Sequence, residues 1–341
     1  MQRKCLKVVL VMVFLQVFFS RFYAAGEPMA FLNMGAGARA TGMGGAFVSV
    51  ADDTSAVLYN PAGIVGVHGM QLAAETYILS LGRSVNYMSI CKPFDIGDNV
   101  YSTAISWLNY SAGRDIEKRT TNSNDPDSLF SDVSHFFIFT AAAAVSKRFY
   151  AGANIKLMLH YIGEAQGTGV GFDAGAFFKT GMGLDFGLSV MNISANMNWD
   201  NSPHVEKAAP VISAGASYNA AGLFRVPGLK LLLSGDILYN SFGYLSARAG
   251  VEASGNGVFF IRAGYSGAPA FGVGIKLEPS QVFAFRFDYA FIDDIIIPGA
   301  FNHRLGVTVE YIFPHRVKVE EEAPEEKVRK REEGRDYESP W

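Results

Sequence analysis

Cysteine is almost missing from this 341-residue chain, which has only Cys5 and Cys91. Cys5 precedes the apolar core of a segment that reads as a removable leader, so it is no lipoprotein cysteine. A single remaining thiol excludes a disulfide-stapled secreted fold. Charge is also scarce, 18% against 49% hydrophobic residues, yet beyond the leader no run of about 18 apolar residues offers a helical membrane span. His68, His135, His160, His204, His303 and His315 form no pair at metal-ligand spacing, and no Gly-x-Ser-x-Gly elbow occurs. The chain therefore reads as a non-enzyme with no catalytic, cofactor-binding or metal residues, although a Ser and a His could still meet in space from neighbouring strands. The formal charge is −3, and loss of Arg3, Lys4, Lys7 and Arg21 with the leader takes the exported chain to about −7. Neither value gives an electrostatic footprint for nucleic acid.

What is present begins with that leader, residues 1–25. Arg3, Lys4 and Lys7 precede an apolar run from Val8 to Phe19, and Ala24 and Ala25 follow, the layout of a secretory signal peptide. Its core is too short to span a bilayer, and the aromatic Phe22 and Tyr23 leave the cleavage point open.

Beyond it, alternation dominates. Ala151, Ala153, Ile155, Leu157, Leu159 and Tyr161 share one face, and Gly152, Asn154, Lys156, Met158 and His160 share the other. Phe283, Phe285, Phe287, Tyr289 and Phe291 stand against Ala284, Arg286, Asp288 and Ala290 in the same way. A period of two is that of a strand, with side chains pointing alternately to opposite faces. From Met70 the pattern gives about fourteen strands of about ten residues, the length that crosses a bilayer at a tilt. With the first strand running outward, the polar connections Tyr110 to Asp132, Ala195 to Ala208 and Asp293 to Phe301 share the extracellular side. Short turns such as Thr180-Gly181 fall opposite. The predicted fold is all-β: a transmembrane antiparallel barrel over 69–313 in an outer membrane, with its large aromatics against lipid. A soluble β-sandwich also alternates, but faces this apolar would be exposed to water there.

An N-terminal hatch over 26–68 is expected inside the lumen. Gly35, Gly37, Gly42, Gly44 and Gly45 allow tight folding and packing against a wall, and a dinucleotide turn is disfavoured because no βαβ pattern follows. Asp52 or Asp53 is placed to cap a short helix from Thr54 to Tyr59 that Pro61 ends. Too few spaced carboxylates surround that pair for a Ca²⁺ cage. Charges of both signs face inward, among them Lys156, Asp173, Asp236, Arg248, Glu252, Arg262, Arg286, Asp288 and Arg304, either paired along the wall or forming a selective ring. Phe136, Ile138, Phe177, Leu232, Leu238 and Phe260 also face inward. They would line a greasy pocket beside the hatch, or pack the hatch itself.

The run from Gly35 to Phe47, continuing through Asp52-Asp53 to Asn60-Pro61-Ala62-Gly63, resembles the PorV/PorQ-type outer-membrane proteins and a related spirochaetal family. Both are similar to the FadL long-chain fatty acid transporters, whose hatch carries Asn-Pro-Ala inside a fourteen-stranded barrel. The resemblance makes Asn60, Pro61 and Ala62 hatch residues. It implies one of two roles. The first is passive uptake of small hydrophobic compounds such as fatty acids, past the hatch and through a lateral gap; the other is a non-transporting scaffold engaging secreted or periplasmic proteins. Residues 314–341, with nine acidic and seven basic residues, read as a solvated periplasmic tail or a docking segment.

Overall fold

The computed structural model describes residues 29–313 apart from 98, 121, 123, 221–225, 295, 296 and 298. The leader and the charged tail lie outside the described residues. Fifteen strands are present among the described residues: β1 (Met70–Ile78), β2 (Ser84–Ile96), β3 (Asn99–Lys118), β4 (Ser128–Ala144), β5 (Phe149–Ile162), β6 (Ala165–Lys179), β7 (Leu184–Trp199), β8 (Ser202–Lys207), β9 (Val211–Asn219), β10 (Leu229–Asn240), β11 (Leu245–Gly255), β12 (Phe259–Tyr265), β13 (Pro269–Leu277), β14 (Phe283–Asp293) and β15 (Phe301–Tyr311).

Each strand pairs antiparallel with its neighbours. β1 closes on β15, from Met70 opposite Tyr311 to Ile78 opposite His303, and β6 joins β7. The closed ring holds fourteen strands, because β8 pairs with β7 alone and lies outside it. Closure leaves the ring without an open edge, as a bilayer demands of a sheet. Outward positions carry exposed large apolar side chains around the ring, among them Leu72, Ile105, Phe137, Phe139, Leu157, Leu188, Ile237, Val273, Phe287 and Leu305. In lipid such a belt is the stabilised arrangement. No helix among the described residues is long and apolar enough to cross a membrane.

Two details differ from the sequence reading. Tyr110 to Asp132 is mostly strand, since β3 runs on to Lys118 and β4 starts at Ser128, with a register shift at Gly113. Ala195 to Ala208 holds the end of β7 and all of β8. Both extensions lie at one rim, and their polar residues lack the apolar alternation that marks the neighbouring strands.

Residues 29–67 are packed against the inward wall. They comprise a 3₁₀ turn at Ala30–Asn33, the helix α1 (Ala38–Gly42), and two further 3₁₀ turns at Thr54–Leu58 and Pro61–Gly66. Asp53 caps the first of that pair by accepting from Ser55 N, and Asn60 caps the second by accepting from Ala62 N. Pro61 thus opens a new turn as well as closing the previous one, since its missing N–H is no loss at a first position.

Glycines on the wall let backbone meet backbone. A Cβ on Gly152 would stand 2.6 Å from Ala62 N, and one on Gly250 2.5 Å from Met43 O. Cβ atoms on Gly187 and Gly264 would overlap Val48 O and Gly44 N. On the hatch side, Gly44 adopts φ +62 and a Cβ there would strike Tyr265 N. We expect Gly187→Val or Gly264→Val to unseat this segment while leaving strand pairing intact, a cost of about 1–3 kcal/mol or more. Heat-modifiable gel migration should persist while limited trypsin digestion gains a cut at Arg39.

Candidate functional site

Polar wall side chains meet the hatch backbone group by group. Asp236 accepts from Phe47 N at 2.7 Å and Val48 N at 3.0 Å, and Glu75 accepts from Gly37 N at 2.8 Å and Ala38 N at 2.9 Å at the start of α1. In return Tyr87, Asn154, Ser217 and Ser234 donate to the carbonyls of Thr54, Val57, Ser49 and Ala46. Buried backbone without such partners would be costly. Asn60 is fully buried and serves both sides, its Nδ2 donating to Val48 O and to Ala176 O of β6, each at 2.9 Å.

One cation fastens the centre. Arg39 of α1 donates from Nε and Nη2 to the two carboxylate oxygens of Glu252, each at 2.9 Å. Its Nη1 reaches Asp52, and Asp53 at 3.3 Å. Burial works against the charge on Arg39, but Asp52 and Glu252 overcome it and hold the guanidinium proton more tightly than usual. Glu252 also accepts from Arg262 Nε at 2.6 Å, and Arg262 and Arg286 each ion-pair with Asp288 at 2.8 Å. The bidentate fork on Glu252 is the strongest geometry available to such a pair.

Two cavities lie on either side of this layer. At the short-turn end a polar chamber of about 670 Å³ is lined by Arg39, Asp52, Lys230, Glu252, Lys276 and Glu310, among others. Toward the opposite rim a smaller cavity of about 290 Å³ lies between Tyr59, Tyr77, Arg83, Arg248 and Asn302. Tyr59 bounds the second one, its hydroxyl donating to Ala36 O at 2.9 Å, and burial pushes its phenol up to about 12.

Above the hatch, the turn at Ala30–Asn33 inserts Phe31 into a pocket built by β3, β4 and β5. The Phe31 ring stacks on Tyr110 at 5.2 Å and lies 5.4 Å from both Phe136 and His160. Trp199 lies 5.1 Å from His160 on its other side. Gly167 and Gly169 leave the room that Met197, Trp199 and Met158 fill, as a Cβ at either position would collide with them. His160 Nε2 lies 2.8 Å from Asp132 Oδ1.

Next to this pocket the wall is broken. β6 and β7 lose register twice between Val170 and Ala174, and Asn192 and Ser194 adopt positive φ of 61 and 49. The extra residues of β7 form a bulge. Inside it the buried Lys156 pairs with Asp173 at 2.6 Å and with Asn192 at 2.5 Å, and Asn192 donates to Asn33 of the hatch at 3.1 Å. On the outer face of the same bulge a groove of about 600 Å³ is lined by Leu157, Met158, Gly169, Phe172, Ser194 and Asn196. Met158 and Gly169 thus border both the groove and the ring pocket.

This architecture matches solved structures of outer-membrane channels. A Pseudomonas aeruginosa FadL homologue superimposes with a TM-score of 0.53 at 11% identity, covering 85% of this chain and 100% of that one. The chain has a FadL-type barrel fold. The toluene transporter TodX of P. putida matches at a TM-score of 0.52 and 12% identity over 82% of this chain and 99% of that one. TbuX, the Ralstonia pickettii toluene transporter, gives 0.50 and 12% over 83% and 100%. These neighbours are transporters and channels, not enzymes. No protein-family profile and no curated protein matches the sequence.

The residues expected from sequence are distributed over this FadL-type interior. Gly35, Gly37, Gly42, Gly44, Gly45, Asp52, Asp53, Asn60, Pro61, Ala62 and Gly63 all lie in the segment inside the barrel, with Asp52 and Asp53 facing Arg39. The six inward apolar residues do not converge on one pocket. Phe136 touches Phe31, and Ile138 follows it along β4 on the same inner face. Phe177 stacks on Tyr150 at 6.2 Å, while Leu232 and Phe260 line the polar chamber. Phe260 lies beneath Arg262 and Arg286, with guanidinium-to-ring distances of 5.3 and 4.6 Å, and Leu238 is buried in the wall of β10. Arg248 donates to Gly45 O at 3.3 Å, so all three named arginines serve the hatch or its ion network. Sequence reasoning missed Phe31, Arg39, Glu75 and the His160–Asp132 pair. His160 was legible as inward-facing, but Asp132 had been assigned to a loop.

Asn60→Asp keeps the shape but removes both N–H donors, stranding two carbonyls at about 1–3 kcal/mol each. Faster hydrogen exchange across Val48 to Gly66 is expected, with the barrel strands unchanged. Glu252→Gln leaves three guanidinium groups short of counter-charge and should loosen α1 in the same assay. Glu278→Gln, at the exposed rim, should leave exchange as it was.

Proposed function

We propose that this protein is an outer-membrane channel for small hydrophobic compounds, which it passes without an energy source. The observation that carries the reading is the ring pocket standing back to back with a membrane-facing groove at the one stretch of the β6–β7 seam where strand pairing fails. A solute arriving from the hairpin rim would displace Phe31, rest against Phe136, Met158 and Met197, and leave sideways through the bulge at Asn192–Ser194. Such a path keeps an apolar molecule out of the polar chamber below, where Lys230, Lys276 and Glu310 would desolvate at a cost. The hatch then serves as the seal that stops water and ions. Fatty acids fall within this class, and the fold shared with toluene transporters supports it.

A second reading has its own observation. The β3–β4 arm extends beyond the ring, and Arg114, Asp115, Glu117 and Lys118 near its tip are exposed, which suits a PorV-like scaffold that engages secreted or surface proteins. Photo-crosslinkers placed along 114–128 in intact cells would capture a protein partner in that case.

Vesicles carrying the protein should take up a labelled monoaromatic or short fatty acid faster than empty vesicles. Equal rates would end the channel reading. A Cβ on Gly171 would stand 2.9 Å from that of Ala195 across the bulge, nearer than the about 3.5–4.5 Å of a disulfide, so cysteines at these two positions bridge once the bulge gives slightly. The oxidised G171C/A195C protein should lose uptake and regain it on reduction. Unchanged uptake after oxidation would exclude the sideways exit.

A further inference from the structure

We infer that the pocket now filled by Phe31 is a binding site for a single aromatic ring bearing a hydroxyl group, a phenol-type solute. The inference deepens the channel reading by naming a solute class.

Phe31 is the first part of the case. A side chain delivered by a short 3₁₀ turn is held by Tyr110, Phe136 and His160 at ring-to-ring distances of 5.2 to 5.4 Å, the spacing that aromatic pairs prefer. The space is the size of one six-membered ring, and the chain supplies its own.

The second part is polar. His160 is 6% exposed, and its Nδ1 has no hydrogen-bond partner among the described residues. Ser134 is directly opposite His160 in the β4–β5 ladder and fully buried, and its Oγ is likewise without a partner among them. Facing residues of an antiparallel pair have Cβ atoms about 5 Å apart, so one small group can reach both. Buried polar atoms left unsatisfied are uncommon and costly, and a phenylalanine ring cannot satisfy either.

The chemistry of the missing group follows from Asp132. A carboxylate only accepts, so Nε2 carries a proton and donates to Asp132 Oδ1 across 2.8 Å, and the form with that single proton is the one the site is read in. Nδ1 is left as a lone pair that needs a donor. The Ser134 hydroxyl can give a proton to an acceptor. A group that donates to one and accepts from the other is itself a hydroxyl. A hydrocarbon offers neither function, an ether only the acceptor, and a carboxylate only acceptors.

Equilibrium dialysis of the detergent-solubilised full chain against phenol and anisole tests this. Phenol should bind about tenfold more tightly than anisole, the ratio that one well-made buried hydrogen bond gives. His160→Phe keeps a ring but removes the acceptor, and should bring phenol down to the level of anisole while anisole is unchanged. Should the first variant fail to fold, Ser134→Ala removes the donor that phenol and anisole share, so it should weaken both about equally and leave the phenol preference in place. Phe31→Ala should tighten both ligands by vacating the pocket. Equal binding of phenol and anisole by the unaltered protein overturns the assignment. So does an equal loss of both ligands in His160→Phe, loss of the phenol preference in Ser134→Ala, preference for benzoate over phenol, or indifference to Phe31→Ala. Vesicle uptake is read separately. Uptake without hydroxyl selectivity defeats only the solute class, whereas selective binding with no uptake defeats only the channel reading.

Discussion

Contact between two backbones organises this molecule. Along β5, β6, β7, β11 and β12 the inner wall carries glycine where the hatch main chain lies against it, and the hatch answers with Gly44 against Gly264 and Tyr265. At those points no side chain separates the two chains. Polar neighbours can then reach the hatch amides and carbonyls directly, as Asp236, Asn154 and Ser234 do. The ion network around Glu252 works only because α1 is held this near the wall. A hatch standing a few ångströms further in would leave Arg39 and Glu252 buried without each other, which is the costly arrangement for buried charges.

The interior is therefore divided by chemistry as well as by space. Below the hatch the wall is ionic and the chamber wide. Above it, between β3 and β7, the wall is built of rings and thioethers, with the buried His160 Nδ1 and Ser134 Oγ left without partners among the described residues. Thioethers adapt to irregular shapes, and Met158 and Met197 lie against Gly169 and Gly167 at the edge of the bulge. The same bulge carries Lys156 and Asp173 on its inner side, so the break in pairing is braced by a buried ion pair.

Much of the barrel was legible because strand periodicity is enforced by the bilayer. An outward Phe287 or Leu305 beside an inward Asp288 or Gly306 is a strong local signal, and the fourteen ring strands follow from it. The signal ends at the membrane boundary, which is why β8 and the far ends of β3 and β4 passed as loops. Glycine density and the Asn60-Pro61 turn mark residues 29–67 as a tightly folded segment apart from the strands. Its fastenings were not legible, because Arg39 and Glu252 are separated by 213 positions and meet only once the ring has closed. Phe31 lay hidden between a leader and a glycine-rich run, where one aromatic residue carries no periodic mark.

The first and last strands of the ring meet in a single seam, and the hatch touches both sides of it. Glu75 on β1 holds the start of α1, while Arg304 on β15 donates to Gly35 O at 3.3 Å. Drawing the segment inward would therefore break bonds to both margins of the closure at once, so it clamps the joint it lies behind.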